Sequence, residues 1–194
     1  MYRFSFERFY FYQESCHNTI LSLSLNYYYY RVLGRKGSGN VSGIIAGVDY
    51  VAANCGPSDV ANMSLGGPFY APENTAVINA AKSCPFVVAA GNAGKNAANY
   101  SPASAGYDLN VYTISASDTG DSMPYWSNYG SVVDYAAPGV SINSTYKGGG
   151  YRTLSGTSMS APHVAGIILN GQISTDGNVK NDPDGNPDPI AVCP

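Results

Sequence analysis

The sequence predicts an α/β fold, built on a parallel sheet with crossover helices. Three observations predict it. Short continuous apolar runs of strand length alternate with longer segments whose apolar residues recur at helical spacing. Turns rich in glycine or asparagine close the apolar runs. The order strand, helix, strand, helix, strand calls for crossover connections, and these make neighbouring strands parallel. Ligands of such sheets bind beyond the carboxyl ends of the strands.

The elements follow in order. "RVL" (Arg31–Leu33) is a short strand candidate that runs into the glycine loop "GRKGSGNVSG". A helix is expected near 42–54, where Ile44, Ile45, Val48, Val51 and Ala52 share helical spacing. Val60–Ser64 reads as a buried strand ending in Gly66-Gly67-Pro68. A helix near 72–83 opens at Pro72, which suits a first helical turn, and carries Ala76, Val77, Ala80 and Ala81 on one stripe. Phe86–Ala90 is a buried strand ending at Gly91-Asn92; "VYTISAS" and "VVDYAA" are further strands. A helix near 158–170 closes the readable core. The tail 171–194 is turn-rich, and its acidic part, "DGNVKNDPDGNPDP", reads as a solvated loop. Asp182, Asp184, Asn186 and Asp188 alternate loosely like calcium ligands there, but the EF-hand pattern and its closing Glu are absent.

Composition narrows the function classes. Of the 194 residues 44% are hydrophobic, enough for a sizeable core, and 12% are charged, about half the usual share of roughly 25%. A net charge of −3 gives no electrostatic basis for binding nucleic acid or an anionic membrane. No apolar run reaches the length of a membrane span. Cys16, Cys55, Cys84 and Cys193 lack C-x-x-C spacing, which argues against zinc; they allow two disulfides in three connectivities, or free buried thiols. Residues 1–30, aromatic and basic without a small-residue cleavage site, do not read as a signal peptide. They look foreign to the domain that begins at Arg31 and are expected to be poorly ordered.

Three motifs fall at strand ends or on the loops around them: "SLGG" (64–67), "AAGN" (89–92) and the turn carrying Ser158. Ser158 begins a helix, where its own backbone N–H points outward and can stabilise an oxyanion. Asn92, at another strand end, is placed to supply a second donor from its side-chain amide. A nucleophile with two donors is half of an acyl-transfer site. Taken alone, a serine in a glycine turn is more often a helix cap.

The stretch "GTSMSAPHVAG" resembles the nucleophile motif of the subtilisin-like serine proteases. "NMSLGG", "VVAAGN", "YSPAS", "SNYG" and "AAPG" occur in that family's order and approximate spacing, nearest its proteinase K-like branch. The resemblance runs from Arg31 to Gly166. It implies a subtilisin-like α/β domain, a three-layer, doubly wound parallel sheet incomplete at its N-terminus, and an endopeptidase that hydrolyses peptide bonds through an acyl-serine intermediate, with no cofactor for the chemistry. It makes Ser158 the nucleophile and Asn92 the oxyanion-hole side chain. Ser64, Leu65, Gly66 and Gly67 become the edge that pairs with an extended polypeptide and begins the S1 wall; Ala90 and Gly91 form the opposite wall. Gly37, Ser38 and Gly39 become a second pairing edge. Small residues suit a peptide that adds as a strand, backbone to backbone, and they leave room for a large apolar P1 side chain. The alternative for "GSGNVSG" is a plain turn; a dinucleotide loop would need an acidic residue that its context lacks.

The family's triad order is Asp, His, Ser. Its His and Asp motifs belong upstream of "RVL", and neither is present in this chain. His163 lies five residues after Ser158, about 140° round a helix and roughly 7.5 Å along it, and reads as structural. His17, in "SCHNT", has no glycine–threonine context. "DTG" (Asp118–Gly120) lies between Asn92 and Ser158, in the wrong order, and reads as a surface turn. The α/β-hydrolase pattern G-x-S-x-G fails at its last position. The expectation is an incomplete domain at 31–170 that lacks its N-terminal part and is inactive as written. The alternatives are a non-catalytic peptide-binding module and a gene fragment. The resemblance further implies a secreted monomer and a structural calcium site made by Asp134 with the carbonyls of Leu109 and Val111; the alternative for Asp134 is a turn cap.

Overall fold

The computed structural model describes residues 30–34, 37–146 and 148–194. Helix α1 spans Val41–Asn54, followed by β1 (Ala61–Met63), β2 (Gly67–Pro68), α2 (Ala71–Ala80) and β3 (Phe86–Ala89). Then come β4 (Tyr100–Ser101), β5 (Val111–Ser117), β6 (Tyr135–Pro138) and the hairpin β7 (Ile142–Tyr146) with β8 (Gly150–Leu154). Helix α3 (Thr157–Leu169), β9 (Ser174–Asn178) and β10 (Pro189–Val192) complete the order. The central sheet runs β1-β3-β5-β6-β10-β9. All its pairings are parallel except β10 with β9.

The strands of the centre are buried on both faces, so they read as unbroken apolar runs rather than alternating ones. Side chains still alternate in direction along a strand. In β3, Phe86 and Val88 join Met63 and Val111 against Ile44, Val48 and Val51 of α1 and Val77 and Ala80 of α2. Val87 and Ala89 face the other way, with Ile114 and Ala137, onto Ala161, Val164 and Ile167 of α3. These are the three layers of the doubly wound sheet that the resemblance implies. Burying each Val, Ile or Phe contributes about 1.5–3 kcal/mol, which anchors β1, β3 and α3, the elements that carry the site.

Three differences from the sequence expectations have physical causes. Residues 31–33 form no strand, because among the described residues no neighbour hydrogen-bonds to them; Leu33 instead packs into the α1 side of the core. Helix α2 stops at Ala80 rather than 83, and Ala81 to Ser83 turn toward β3. The tail is a solvated loop only in part: residues 180–187 lie mostly exposed, but β10 extends the parallel sheet beside β6, and Val179, Asp188, Ile190 and Ala191 are buried. A disulfide joins Cys55, at the end of α1, to Cys84, just before β3, and Cys193 is also disulfide-bonded. The expectations for residues 1–29, including His17, lie outside the described residues. The Tyr30 ring packs 4.9 Å from that of Tyr50.

Candidate active site

Helix α3 starts where β8 ends. Ser141 N–H donates to Ser155 Oγ at 2.9 Å and Gly156 N–H to the Gly139 carbonyl at 2.8 Å, so the turn is pinned to the end of β6. Ser158 is the second residue of the helix and half-buried. Its N–H belongs to the first helical turn, where backbone donors lack intrahelical partners and the helix dipole favours negative charge.

Asn92 lies just past β3, and the structure brings it directly to this turn. Its Oδ1 accepts from Thr157 N–H at 2.8 Å and from the Thr157 hydroxyl at 3.1 Å. Thr157 Oγ1 in turn accepts from Gly91 N–H at 3.0 Å. With the carbonyl end held twice, the Asn92 amide Nδ2 is left without a hydrogen bond among the described residues, beside the residue that precedes the Ser158 hydroxyl. Thr157 is fully buried, and sequence reasoning assigned it no role. Its place next to Ser158 was the signal.

A second residue passed over is Asn128 of the "SNYG" motif. Buried completely, it donates to the Ala90 carbonyl at 2.8 Å and accepts from Ala93 and Lys95 N–H at 2.9 and 3.1 Å. It thereby sets the whole 90–95 loop. Gly91 has φ +108°, and a Cβ there would lie 2.4 Å from Asn128 Nδ2. Only glycine fits between the loop and its clamp.

Ser64 follows β1 and meets α3 from the other side. Its Oγ donates to the Ser158 carbonyl at 2.9 Å, while Ser158 Oγ donates to the Ser64 carbonyl at 3.4 Å. Asn62 Nδ2 donates to Ser64 Oγ at 3.1 Å. Leu65 is buried in the core, Gly66 is exposed, and Gly67 is taken up in the antiparallel β2–β4 ribbon opposite Ser101. That pairing leaves Ser64 to Gly66 as the open part of the expected edge. Gly37 to Gly39 form a turn in which Gly34 N–H donates to the Ser38 carbonyl at 2.9 Å, and Leu33 and Leu65 share one core cluster.

The remaining titratable groups sort by environment. His163 Nδ1 donates to the Met159 carbonyl at 2.8 Å within α3, and burial lowers its pKa. Asp118 Oδ1 accepts from Gly120 and Ser122 N–H at 2.8 and 2.9 Å, a surface turn whose backbone donors, Ser122 first, hold the carboxylate below its usual range. Asp134 Oδ2 accepts from Thr113 N–H at 2.7 Å; burial pushes its pKa up to about 7. Val111 opens β5, two residues before Thr113, and Leu109 sits 94% exposed on the preceding loop. Among the described residues no three His, Cys, Asp or Glu side chains gather as a metal site.

What this arrangement can do chemically is acyl transfer. An acyl group attacked by Ser158 Oγ would place its oxyanion between the helix N-terminus and the Asn92 amide. That combination, on a parallel α/β sheet, defines the serine-nucleophile hydrolases as a class. Comparison with known proteins narrows it: the model of the subtilase family, peptidase S8, matches residues 16–170, and the chain belongs to that family. The match begins ahead of Arg31, where the sequence motifs start.

The chain is 52% identical over 143 residues to the subtilisin-like serine protease Pen c 1 of Penicillium citrinum, covering 71% of this chain and 35% of that protein. It is 49% identical over 138 residues to alkaline serine exoprotease A of Vibrio alginolyticus, covering 71% and 25%. Proteinase R of Parengyodontium album is 47% identical over 71% of this chain and 36% of its own length. The chain thus spans about a third or less of these relatives. The crystal structure of a cold adapted subtilisin-like serine proteinase superposes with a TM-score of 0.76 at 40% identity, covering 82% of this chain and 64% of that one.

Proposed function

We propose that this chain carries the nucleophile and oxyanion half of a secreted serine endopeptidase. Its substrate is an extended polypeptide laid along Ser64–Gly66, with Gly37–Gly39 as the facing edge and Ala90–Gly91 closing the P1 pocket. The Thr157–Asn92 anchor carries this reading. It occupies the carbonyl end of Asn92 and leaves the amide beside Ser158, which a purely structural asparagine would not require. The Cys55–Cys84 disulfide suits an oxidising, extracellular compartment, and no helix among the described residues is long and apolar enough to cross a membrane.

The 194-residue chain has negligible turnover under this reading. The chain has two histidines. His163 is committed to its own helix, and His17 lacks the family's surrounding motif. Ser158 Oγ donates to a backbone carbonyl instead. A serine hydroxyl without a base is a poor nucleophile. That same observation favours a second reading, a peptide-binding module that retains the cleft. A fluorogenic peptide assay and a fluorophosphonate probe on the purified chain separate the outcomes. Slow probe capture lost in Ser158→Ala, without peptide turnover, is expected. Robust hydrolysis lost in Ser158→Ala would show a base, with His17 the first residue to test. No capture, with measurable binding of a peptide, would leave the binding module.

We also propose a structural calcium ion at Asp134. Its Oδ2 is engaged by Thr113, leaving Oδ1 for an ion, and no cationic side chain among the described residues neutralises it. The carbonyls of Leu109 and Val111 would complete an oxygen set of the kind calcium takes. Calcium should raise the melting temperature and Asp134→Asn should abolish the effect. A melting curve indifferent to calcium and chelator removes the site.

A further inference from the structure

We propose that Ser64 and Asn62 form a relay that positions the nucleophile by supplying a hydrogen bond that Pro162 denies it. In an α-helix the carbonyl of residue i accepts from the N–H of residue i+4. For Ser158 that residue is Pro162, inside α3, which has no N–H. The carbonyl would be orphaned at the residue whose placement matters most. Ser64 Oγ fills the vacancy from 94 residues away, at 2.9 Å.

The hydroxyl has one proton to give. Asn62 Nδ2 donates to Ser64 Oγ at 3.1 Å, so the Ser64 proton is directed to the Ser158 carbonyl. Asn62 sits on β1, 6% exposed, and its Oδ1 has no partner among the described residues. Leaving a buried acceptor open is costly; this amide orientation serves Ser64 rather than Asn62. Ser158 Oγ returns a weaker bond to the Ser64 carbonyl. The two serines are therefore tied by both main chain and side chain, and Ser64 sets how the nucleophile's turn sits against the cleft edge. Displacement of a reacting group by 1 Å can cost on the order of 10²-fold in rate. Ser64 and Asn62 act through Ser158 and are positioning residues. The functional consequence rests on Ser158 being the nucleophile; the relay itself does not.

The test uses the whole chain, with ¹³C-carbonyl serine and ¹⁵N methionine. Only Ser122–Met123 and Ser158–Met159 then give a carbonyl–amide signal, and Ser122→Ala assigns them. Ser64→Ala should move the Ser158 carbonyl carbon upfield, leave the Ser122 signal in place, and slow fluorophosphonate capture about three- to tenfold, the worth of one such bond. Ser64→Thr keeps the hydroxyl and should keep the Ser158 carbonyl shift. Asn62→Asp reverses the relay, because a carboxylate only accepts, and should shift the same carbon; it decides the question should Ser64→Ala not fold.

Pro162→Ala in the Ser64→Ala background restores a backbone donor at i+4 and should return both the carbonyl shift and the capture rate. A merely structural serine would show no such rescue. An unmoved Ser158 carbonyl in Ser64→Ala, or a folded double variant in which it stays shifted, overturns the relay. Absence of capture in the unmodified chain would sink the nucleophile reading, while the carbonyl signal still decides the relay.

Discussion

The tail strand β10 enters the sheet with a carboxylate that has no counter-charge among the described residues, and this sets a pH dependence. Asp188 is 4% exposed and accepts from the buried Ser115 hydroxyl at 2.6 Å. Burial pushes its pKa up to about 7 against the Ser115 bond, with Asp182, Asp184 and Asp134 adding like charge. The folded value is raised, so the stabilisation is complete below the unfolded value near 3.9 and is lost as pH rises through about 7. Well below the folded value each pH unit costs up to about 1.4 kcal/mol, falling to half that at pH 7, so on the order of 3 kcal/mol separates pH 5 from pH 8. Asp188→Asn removes the charge and keeps an acceptor for Ser115. The melting temperatures of the two proteins, measured by circular dichroism with chelator present, should diverge as pH rises. By pH 8 the variant's gain over its value at pH 5 should be on the order of 6–12 °C. Other groups that titrate in this range, among them Asp134 and His163, are common to both proteins and leave the difference nearly unchanged. A difference that is constant across this range, or one that grows toward acid, would refute the assignment of Asp188 as a buried, uncompensated carboxylate.

Two further outcomes concern the scaffold of the site. Gly91→Ala puts a Cβ into Asn128 at a left-handed backbone position, and should destabilise the chain by more than about 1 kcal/mol; a denaturation midpoint equal to the parent's would show that the clamp can move aside. Replacing Cys55 and Cys84 together by alanine opens a loop with a sequence separation of 29 and should cost about 3–4 kcal/mol. Urea denaturation measures this, and a loss below about 1 kcal/mol would mean that the unfolded chain is not constrained by the bridge.

Much of the site was legible because each motif is local. Gly91-Asn92 and the Ser158 turn each close or open a regular element, and the period of the apolar residues located those elements to within a few residues. The helix α1 stripe at Ile44, Val48 and Val51 is such a case: its spacing alone selects the face that is buried. Thr157 and Asn128 were not legible as anchors. Each is a small polar residue whose meaning is its partner, 65 residues away for Thr157 and Asn92 and 38 for Asn128 and Ala90, and no periodicity encodes such distances.

By itself the sequence determined the parallel α/β class, the order of its main strands and helices and the motif that carries Ser158, because these follow from side-chain period and from short contiguous patterns. It also shows that the chain's second histidine, His163, lies five residues beyond Ser158 on the same helix. Only the tertiary structure decided the rest. Arg31–Leu33 has strand-like residues but finds no hydrogen-bonding neighbour among the described residues, so it is not a strand. Asp182 to Asp188 has loop-like residues, yet it leads into β10, because Ile190 and Ala191 gain more from the sheet beside β6 than the polar tail loses. The Ser64–Ser158 tie exists because a proline empties one carbonyl and a distant strand end brings the hydroxyl that fills it.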